Sequence, residues 1–202
     1  MNIPILILAA GASRRMRGQD KLLQLVGDTP LLRRQVLTAQ ATGHPVYVAL
    51  PAFDHPRAAV INDLDVTLLA VPEAPEGQSA TLRGAVPQLP VCEAFMILLG
   101  DLVELTTADL RAVLSAMATQ PGHLVWRGAT QDGKLGHPVL FNASLRGDFA
   151  KINGDSGGGG IIKAQASATY LVPLPGQHAR CDLDTPEDWD AWRAKTGQTV
   201  KR

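Results

Sequence analysis

Ile3-Pro4-Ile5-Leu6-Ile7-Leu8-Ala9-Ala10-Gly11-Ala12-Ser13-Arg14-Arg15-Met16-Arg17-Gly18-Gln19-Asp20-Lys21 is the stretch that decides the fold. Its first part is apolar without alternation, as expected of a strand buried on both faces of a sheet. At Ala9-Ala10-Gly11 the run breaks into a small-residue loop carrying Ser13, Arg14, Arg15, Arg17 and Lys21. A glycine flanked by alanines lets backbone N–H groups approach a ligand closely, and the cations can neutralise a polyphosphate. A first strand followed by such a loop is where open α/β sheets bind nucleotides. In isolation the same residues also describe a basic surface turn, so the rest of the chain has to decide.

Other strand-like runs recur at Val46 to Leu50, Val66 to Val71, Phe95 to Leu99, Leu124 to Arg127 and Thr169 to Val172. Segments with helical spacing lie between several of them, and this alternation predicts a mainly parallel sheet in a Rossmann-like, three-layer α/β/α arrangement. Thr29-Pro30 reads as a cap and first-turn proline ahead of the stripe Leu31, Leu32, Gln35, Val36 and Ala39. A second helix is expected from about Gln78 to Val86, and a third from Thr107 or Ala108 to Met117. Thr185-Pro186-Glu187-Asp188 opens a last helix, on which Trp189 and Trp192 read as core anchors. Gly133 to Phe141 and Asn153 to Gly160 read as functional or flexible loops.

The 202 residues, 46% of them hydrophobic, suffice for one well-filled core, so residues 1–202 are expected to form a single domain. With 19 basic and 19 acidic side chains the formal charge is zero, which argues against a broad nucleic-acid surface. The local gathering of cations points instead to a small anionic ligand. Cys92 and Cys181 stand far apart without a C-x-x-C pair, which argues against a disulfide framework and a zinc ribbon, and a reduced cytoplasm is the expected setting. The apolar start is too short for a membrane span and lacks the basic lead-in of a signal peptide.

Asp101 follows Phe95-Met96-Ile97-Leu98-Leu99-Gly100, at the carboxyl end of an expected central strand, where doubly wound sheets place their ligands. A carboxylate there can coordinate Mg²⁺ while phosphate and water fill the remaining positions, or it can cap the next turn. Asp182 and Asp184 share one side if their segment is extended, although Asp184 could equally cap the last helix. Cations on a glycine loop together with two acidic sites supply what phosphoryl or nucleotidyl transfer needs. A phosphate monoester, with its second pKa at about 6, is already mainly dianionic and requires no general base. The task is to bring anion onto anion by positioning and screening.

Leu8 to Met16, ending in Lys21, resembles the L-A-A-G-x-S-x-R-M…K signature of the MobA-like nucleotidyltransferases. Within that group the chain looks most like the molybdenum cofactor cytidylyltransferases. Glu76 to Leu82, Leu99-Gly100-Asp101, Gly136-His137-Pro138-Val139-Leu140-Phe141 and Asp182 to Asp188 are similar to further segments of that group, in the same order. The resemblance implies CMP transfer from CTP to the terminal phosphate of molybdopterin, with pyrophosphate leaving and Mg²⁺ as cofactor. It implies a nucleotide half at about 1–105 and an acceptor half at about 106–195. Arg15, Lys21 and Asp101 would be catalytic, and Ala9, Ala10, Gly11, Ala12, Ser13, Arg15, Lys21, Gly77 and Ser79 would line the nucleotide. Asp101 and Asp184 would hold the metal, with Asp182 as an alternative ligand. His137 and Asp155 would meet the acceptor, and a molybdenum hydroxylase would receive the product.

Ala10 in place of a second glycine resembles the cytidine-using members more than the guanosine-using ones. Three departures stand out: Arg17 where glycine is usual, Leu102-Val103 where Met-Pro is usual, and no arginine after Gly154-Asp155-Ser156-Gly157. They leave room for a related transferase using GTP or another phosphorylated acceptor, and for a non-catalytic carrier of the cofactor. His44, His55, His123 and His178 show no ligand spacing.

Overall fold

In a computed structural model, residues 2–154 and 157–198 are described. Chain order runs β1 (Ile5–Leu8), a small hairpin of β2 (Leu25–Val26) and β3 (Thr29–Pro30), α1 (Leu31–Gln40), β4 (Val46–Leu50), the short α2 (Pro56–Ala59), β5 (Thr67–Ala70), α3 (Gln78–Ala85), β6 (Ala94–Leu99), α4 (Thr107–Thr119), β7 (Val125–Ala129), β8 (Leu135–Asn142), α5 (Gly159–Ala164), β9 (Thr169–Pro173) and α6 (Pro186–Thr196). Seven strands form one sheet in the order β5-β4-β1-β6-β8-β7-β9. All pairings are parallel except those of β8, which runs against both β6 and β7.

Alternate strand residues feed two cores, which makes the three layers. Ile5, Ile7, Val48, Met96, Leu98 and Trp126 pack with Leu32 and Val36 of α1, Leu110 and Val113 of α4, and both Trp189 and Trp192 of α6. Leu6, Ala49, Phe95, Ile97, Val139 and Phe141 pack on the other face with Leu82 of α3 and Ile161 of α5. Burying a large side chain of this kind is worth about 1.5–3 kcal/mol, so the double-faced runs read in the sequence are what hold the sheet together. The tryptophans are the core anchors expected of them, 1% and 7% exposed.

Two expectations are corrected. Gly133 to Phe141 is a loop only at its start; Leu135–Asn142 is a central strand. Its Val139-Leu140-Phe141 run is as apolar as the other strands, but Gly136 and Pro138 masked it, and here Pro138 follows a cis peptide bond. Thr29-Pro30 is no helix cap, because both residues pair with Leu25 and Val26 as β3, and α1 begins without a side-chain cap. By contrast Thr106 with Asp109, and Thr185 with Asp188, close reciprocal capping boxes at the starts of α4 and α6. Thr185 therefore caps α6, which leaves Asp184 free for the site.

Candidate active site

The loop after β1 leaves the sheet at its carboxyl edge and is held from below by a side chain from a different crossover. Arg57 of α2, 2% exposed, donates from Nε to Asp20 Oδ2 at 2.7 Å and from Nη2 to Asp20 Oδ1 at 2.8 Å and Ser13 Oγ at 3.1 Å. Its Nη1 donates to the Ala9 carbonyl oxygen. Asp20 also accepts from the Leu22 N–H at 2.9 Å, which starts the turn carrying Lys21. This bidentate clamp fixes both ends of the loop, and it holds Ser13 in a left-handed conformation at φ 49°. Arg17 is left-handed as well, at φ 52°, which explains why glycine suits that position; its guanidinium turns outward to Glu187 at 2.6 Å, away from the loop's interior.

Above the clamp lies a cleft of about 470 Å³. Ala10, Gly11, Ala12, Ser13, Arg14, Arg15 and Lys21 line one side, α3 and its approach line another, and Asp101, Asp182 and Asp184 close the third. Gly11 needs neither a positive φ nor internal space, since a Cβ built there would meet nothing within 4 Å. A side chain at that position would occupy the cleft itself, so the glycine keeps open a space for a ligand.

The acids converge because the backbone behind them is sewn together. Leu102 pairs with Asp182 in an antiparallel bridge, and the Val103 N–H donates to the Cys181 carbonyl at 3.0 Å. A proline at position 103 could not make that bond, so the departure from Met-Pro supplies the donor that brings the Asp182–Asp184 segment beside Asp101. Gln35, buried on α1, donates to the Leu102 carbonyl from the opposite side.

Lys21 bridges the two acidic segments. Its Nζ is hydrogen-bonded to Asp101 Oδ2 and lies 2.7 Å from Asp184 Oδ1, while Arg15 reaches Asp184 Oδ2 at 2.6 Å. Burial by itself would lower the Lys21 pKa, but Asp101 and then Asp184 outweigh it and raise it. Burial likewise pushes Asp184 up, and Lys21 and Arg15 reverse this so that its carboxyl is held below the usual range. Asp182 has no such cation; burial, then the charges of Asp101 and Asp184, raise it. The site is thus arranged to keep Asp184 ionised opposite Lys21 and Arg15.

Of the residues expected to contact nucleotide, the cleft collects Ala10, Gly11, Ala12, Ser13, Arg15, Lys21 and Gly77. Ala9 is not among them: its N–H donates to Ala49 and its carbonyl is taken by Arg57, so the residue is spent inside the fold. Ser79 is 1% exposed and accepts from the Gly157 N–H at 3.1 Å, tying α3 to the following loop, while Gln78 and Thr81 face the cleft instead. The helical period explains the exchange, since residues 78 and 81 share a face that 79 does not. His137 sits in β8 rather than projecting from a loop, with its Nδ1 buried and without a hydrogen-bond partner. Burial, then Arg127, push its imidazole down to about 4. Asp155 lies outside the described residues. Arg57 and Gln78 carried no signal in the sequence; Asp20, one residue before Lys21 and three before Leu23, is a recognisable cap.

A family model described as MobA-like NTP transferase domain matches residues 5–169. A probable molybdenum cofactor guanylyltransferase of Synechococcus elongatus is 35% identical over 112 residues, covering 55% of this chain and 57% of that protein. The chain therefore spans little more than half the length of this curated relative. A homologue of the Mycobacterium tuberculosis protein Rv0371c, from Mycobacterium sp. strain JC1, superposes with a TM-score of 0.83 at 24% identity, covering 96% of each chain. Rv0371c itself, in complex with manganese, gives 0.77 at 23% identity, covering 95% of this chain and 97% of that one. These two structures speak for the fold. The family match runs from the first residue of β1 to the first of β9 and takes in the loop, α3 and Asp101; the chain belongs to the MobA-like NTP transferase family.

Proposed function

We propose that this chain is a divalent-metal-dependent nucleotidyltransferase of molybdenum cofactor synthesis, moving CMP from CTP to the terminal phosphate of molybdopterin. The observation that carries the reading is Lys21, whose ammonium is shared by Asp101 and Asp184 at the wall of a cleft floored by the Gly11 loop.

Mg²⁺ is tested by the donor set. Two carboxylates converge on one cation, and Asp101 Oδ1 is buried without a hydrogen-bond partner. No group of three or more His, Cys, Asp or Glu side chains suited to a metal occurs among the described residues. A hard cation held by one or two carboxylates and completed by phosphate and water fits that set. Asp101 and Asp184 would hold it, and when bound it supplies charge to the departing pyrophosphate.

The chain's own residues do the rest. Arg15 and Lys21 exchange carboxylate oxygens for phosphate oxygens and so screen the repulsion of anion by anion. Backbone groups of Ala10, Gly11 and Ala12 orient the triphosphate, and Gly77, Gln78 and Thr81 face the nucleoside. An oxygen of the acceptor phosphate attacks the α-phosphorus, the bond from that phosphorus to the bridging oxygen breaks, and pyrophosphate leaves with the electron pair. No proton has to be removed from a dianionic nucleophile.

Ala10 supports CTP. A second reading, with GTP, is favoured by the name of the Synechococcus relative. Pyrophosphate release is measured with molybdopterin, Mg²⁺ and each nucleoside triphosphate, alongside thermal shifts with the same nucleotides. CTP is expected to give turnover that Lys21→Ala and Asp101→Ala abolish without unfolding the protein. Turnover with GTP alone would replace cytidine by guanosine. Unimpaired activity in both variants, or no release with any nucleotide, would sink the transferase.

A further inference from the structure

The acids of the cleft stand on two segments distant in sequence. Asp101 follows β6, and residues 102–105 lead from it towards α4; Asp182 and Asp184 belong to residues 174–185, the irregular connection from β9 to α6. The bridge between Leu102 and Asp182, with the Val103 N–H on the Cys181 carbonyl, joins the two segments antiparallel. One such bridge fixes where they touch but not the angle between them. Asp101 and Asp184 stand to one side of it. To the other side one chain runs forward to Asp109 and the other runs back to His178.

There a second contact closes. His178 Nδ1 lies 2.8 Å from Asp109 Oδ2. The same oxygen accepts from the Thr106 N–H at 2.9 Å and from the Thr106 hydroxyl at 2.7 Å, so it is an acceptor here and the imidazole Nδ1 carries the hydrogen. Asp109 is buried in the first turn of α4, and His178 is only partly exposed. Both ends of this clasp are connected to the acids through packed structure. Leu102, Val103 and Leu105 are all buried, so Asp101 and the α4 capping box move as one piece. On the other segment the Ala179 carbonyl accepts from the His137 N–H at 2.9 Å, and Gly136 packs so closely that a Cβ there would collide with that carbonyl oxygen. With Ala179 held against β8, the distance from its neighbour His178 to α4 sets the angle that the bridge leaves open.

We infer that His178 is a positioning residue of the site: by holding Asp109 it fixes the gap between Asp101 and Asp184, and with it the fit of a divalent cation between them. It does not line the cleft, and its place in the sequence carries no ligand spacing. The inference rests on the transferase reading only in taking the cation to bind together with a nucleoside triphosphate.

Mn²⁺ binding, followed by the electron paramagnetic resonance of the free ion, is measured with the α,β-methylene analogue of CTP bound, or with that of GTP where thermal shift selects guanosine. His178→Leu fills the space without a donor and leaves Thr106 on Asp109, whereas His178→Asn restores a donor at the position of Nδ1. His178→Leu is expected to weaken Mn²⁺ binding about tenfold, the size of effect seen when groups behind metal ligands are changed, and His178→Asn to recover most of it. Affinity for the analogue without metal should stay constant, because Arg57 holds the Gly11 loop independently of this clasp. If His178→Leu does not fold, His178→Gln, whose donor is displaced by one bond, takes its place. A contact that only stabilises the fold would lower the melting temperature and leave Mn²⁺ affinity unchanged. That result, an equal loss of metal-free nucleotide binding, or a His178→Asn variant no better than His178→Leu would overturn the inference, as would a lack of Mn²⁺ binding by the unmodified protein. Absence of pyrophosphate release by the unmodified protein would overturn the transferase reading alone, because metal binding is read without turnover.

Discussion

Replacing Arg57 by methionine should disable the nucleotide cleft from outside it. Methionine fills much of the buried volume but leaves the Ala9 carbonyl without its donor, at a cost of about 1–3 kcal/mol. It also strips Asp20 of both guanidinium contacts. Breaking a buried pair from one side costs about 3–5 kcal/mol, which must be discounted here because Asp20 remains 21% exposed. The combined effect comes to roughly 3 kcal/mol, a large share of the 5–15 kcal/mol that hold a typical domain, and it lowers the melting temperature by roughly 6–12 °C. Ser13, at φ 49°, loses a partner of its strained conformation, so the loop should relax and nucleotide affinity should fall even though Arg57 Nε and Nη2 are turned to Asp20 and Ser13. Urea unfolding and thermal shift with CTP measure the two effects. A double-mutant cycle with Asp20→Leu isolates the pair, with a coupling of about 2 kcal/mol expected. A loss below about 0.5 kcal/mol for Arg57→Met, with unchanged nucleotide binding, would refute the clamp.

Two further outcomes follow from particular conformations and charges. Arg17→Gly should stabilise the protein by about 0.5–1 kcal/mol, because glycine relieves a left-handed φ of 52° at a cost of only an exposed ion pair; urea midpoints would check it, and a net loss would count against the strain. His137 has its folded pKa lowered to about 4 by burial and then by Arg127, so the unfolded chain binds that proton first as pH falls. Its contribution is therefore intact above about 6.5 and is lost progressively toward 4, by roughly 3 kcal/mol at most. Melting curves across this window should show a steeper loss in the unmodified chain than in His137→Gln, and identical slopes would refute the buried neutral imidazole.

The positions of β1, β4 and β6 were legible in the sequence because strands buried on both faces must be apolar throughout, whatever their neighbours. Trp189 and Trp192 were legible as anchors because large aromatic side chains at helical spacing seek burial, and the start of α6 because Thr185 and Asp188 satisfy orphan N–H groups locally while Pro186 lacks one. β8 was not legible as a strand, since Gly136 and His137-Pro138 carry turn signals that only its place between β6 and β7 overrides. That Ser79 is buried against the Gly157 N–H was not legible, because a motif gives identity and spacing without the rotation of the helix. Arg57 had no signal at all: a lone arginine in a crossover becomes a structural ion only when another segment brings Asp20 to it.

By itself the sequence determined the layered α/β fold, the loop carrying Gly11, Arg15 and Lys21, and the acids at 101 and 182–184, because apolar burial, capping and charge are properties of residues and their local spacing. Tertiary structure alone decided that Lys21 stands between Asp101 and Asp184, that Ala9 and Ser79 are spent on the fold, and that Arg57 reaches Asp20. Those facts depend on segments distant along the chain, and the register and direction in which such segments pair are not written in either one of them.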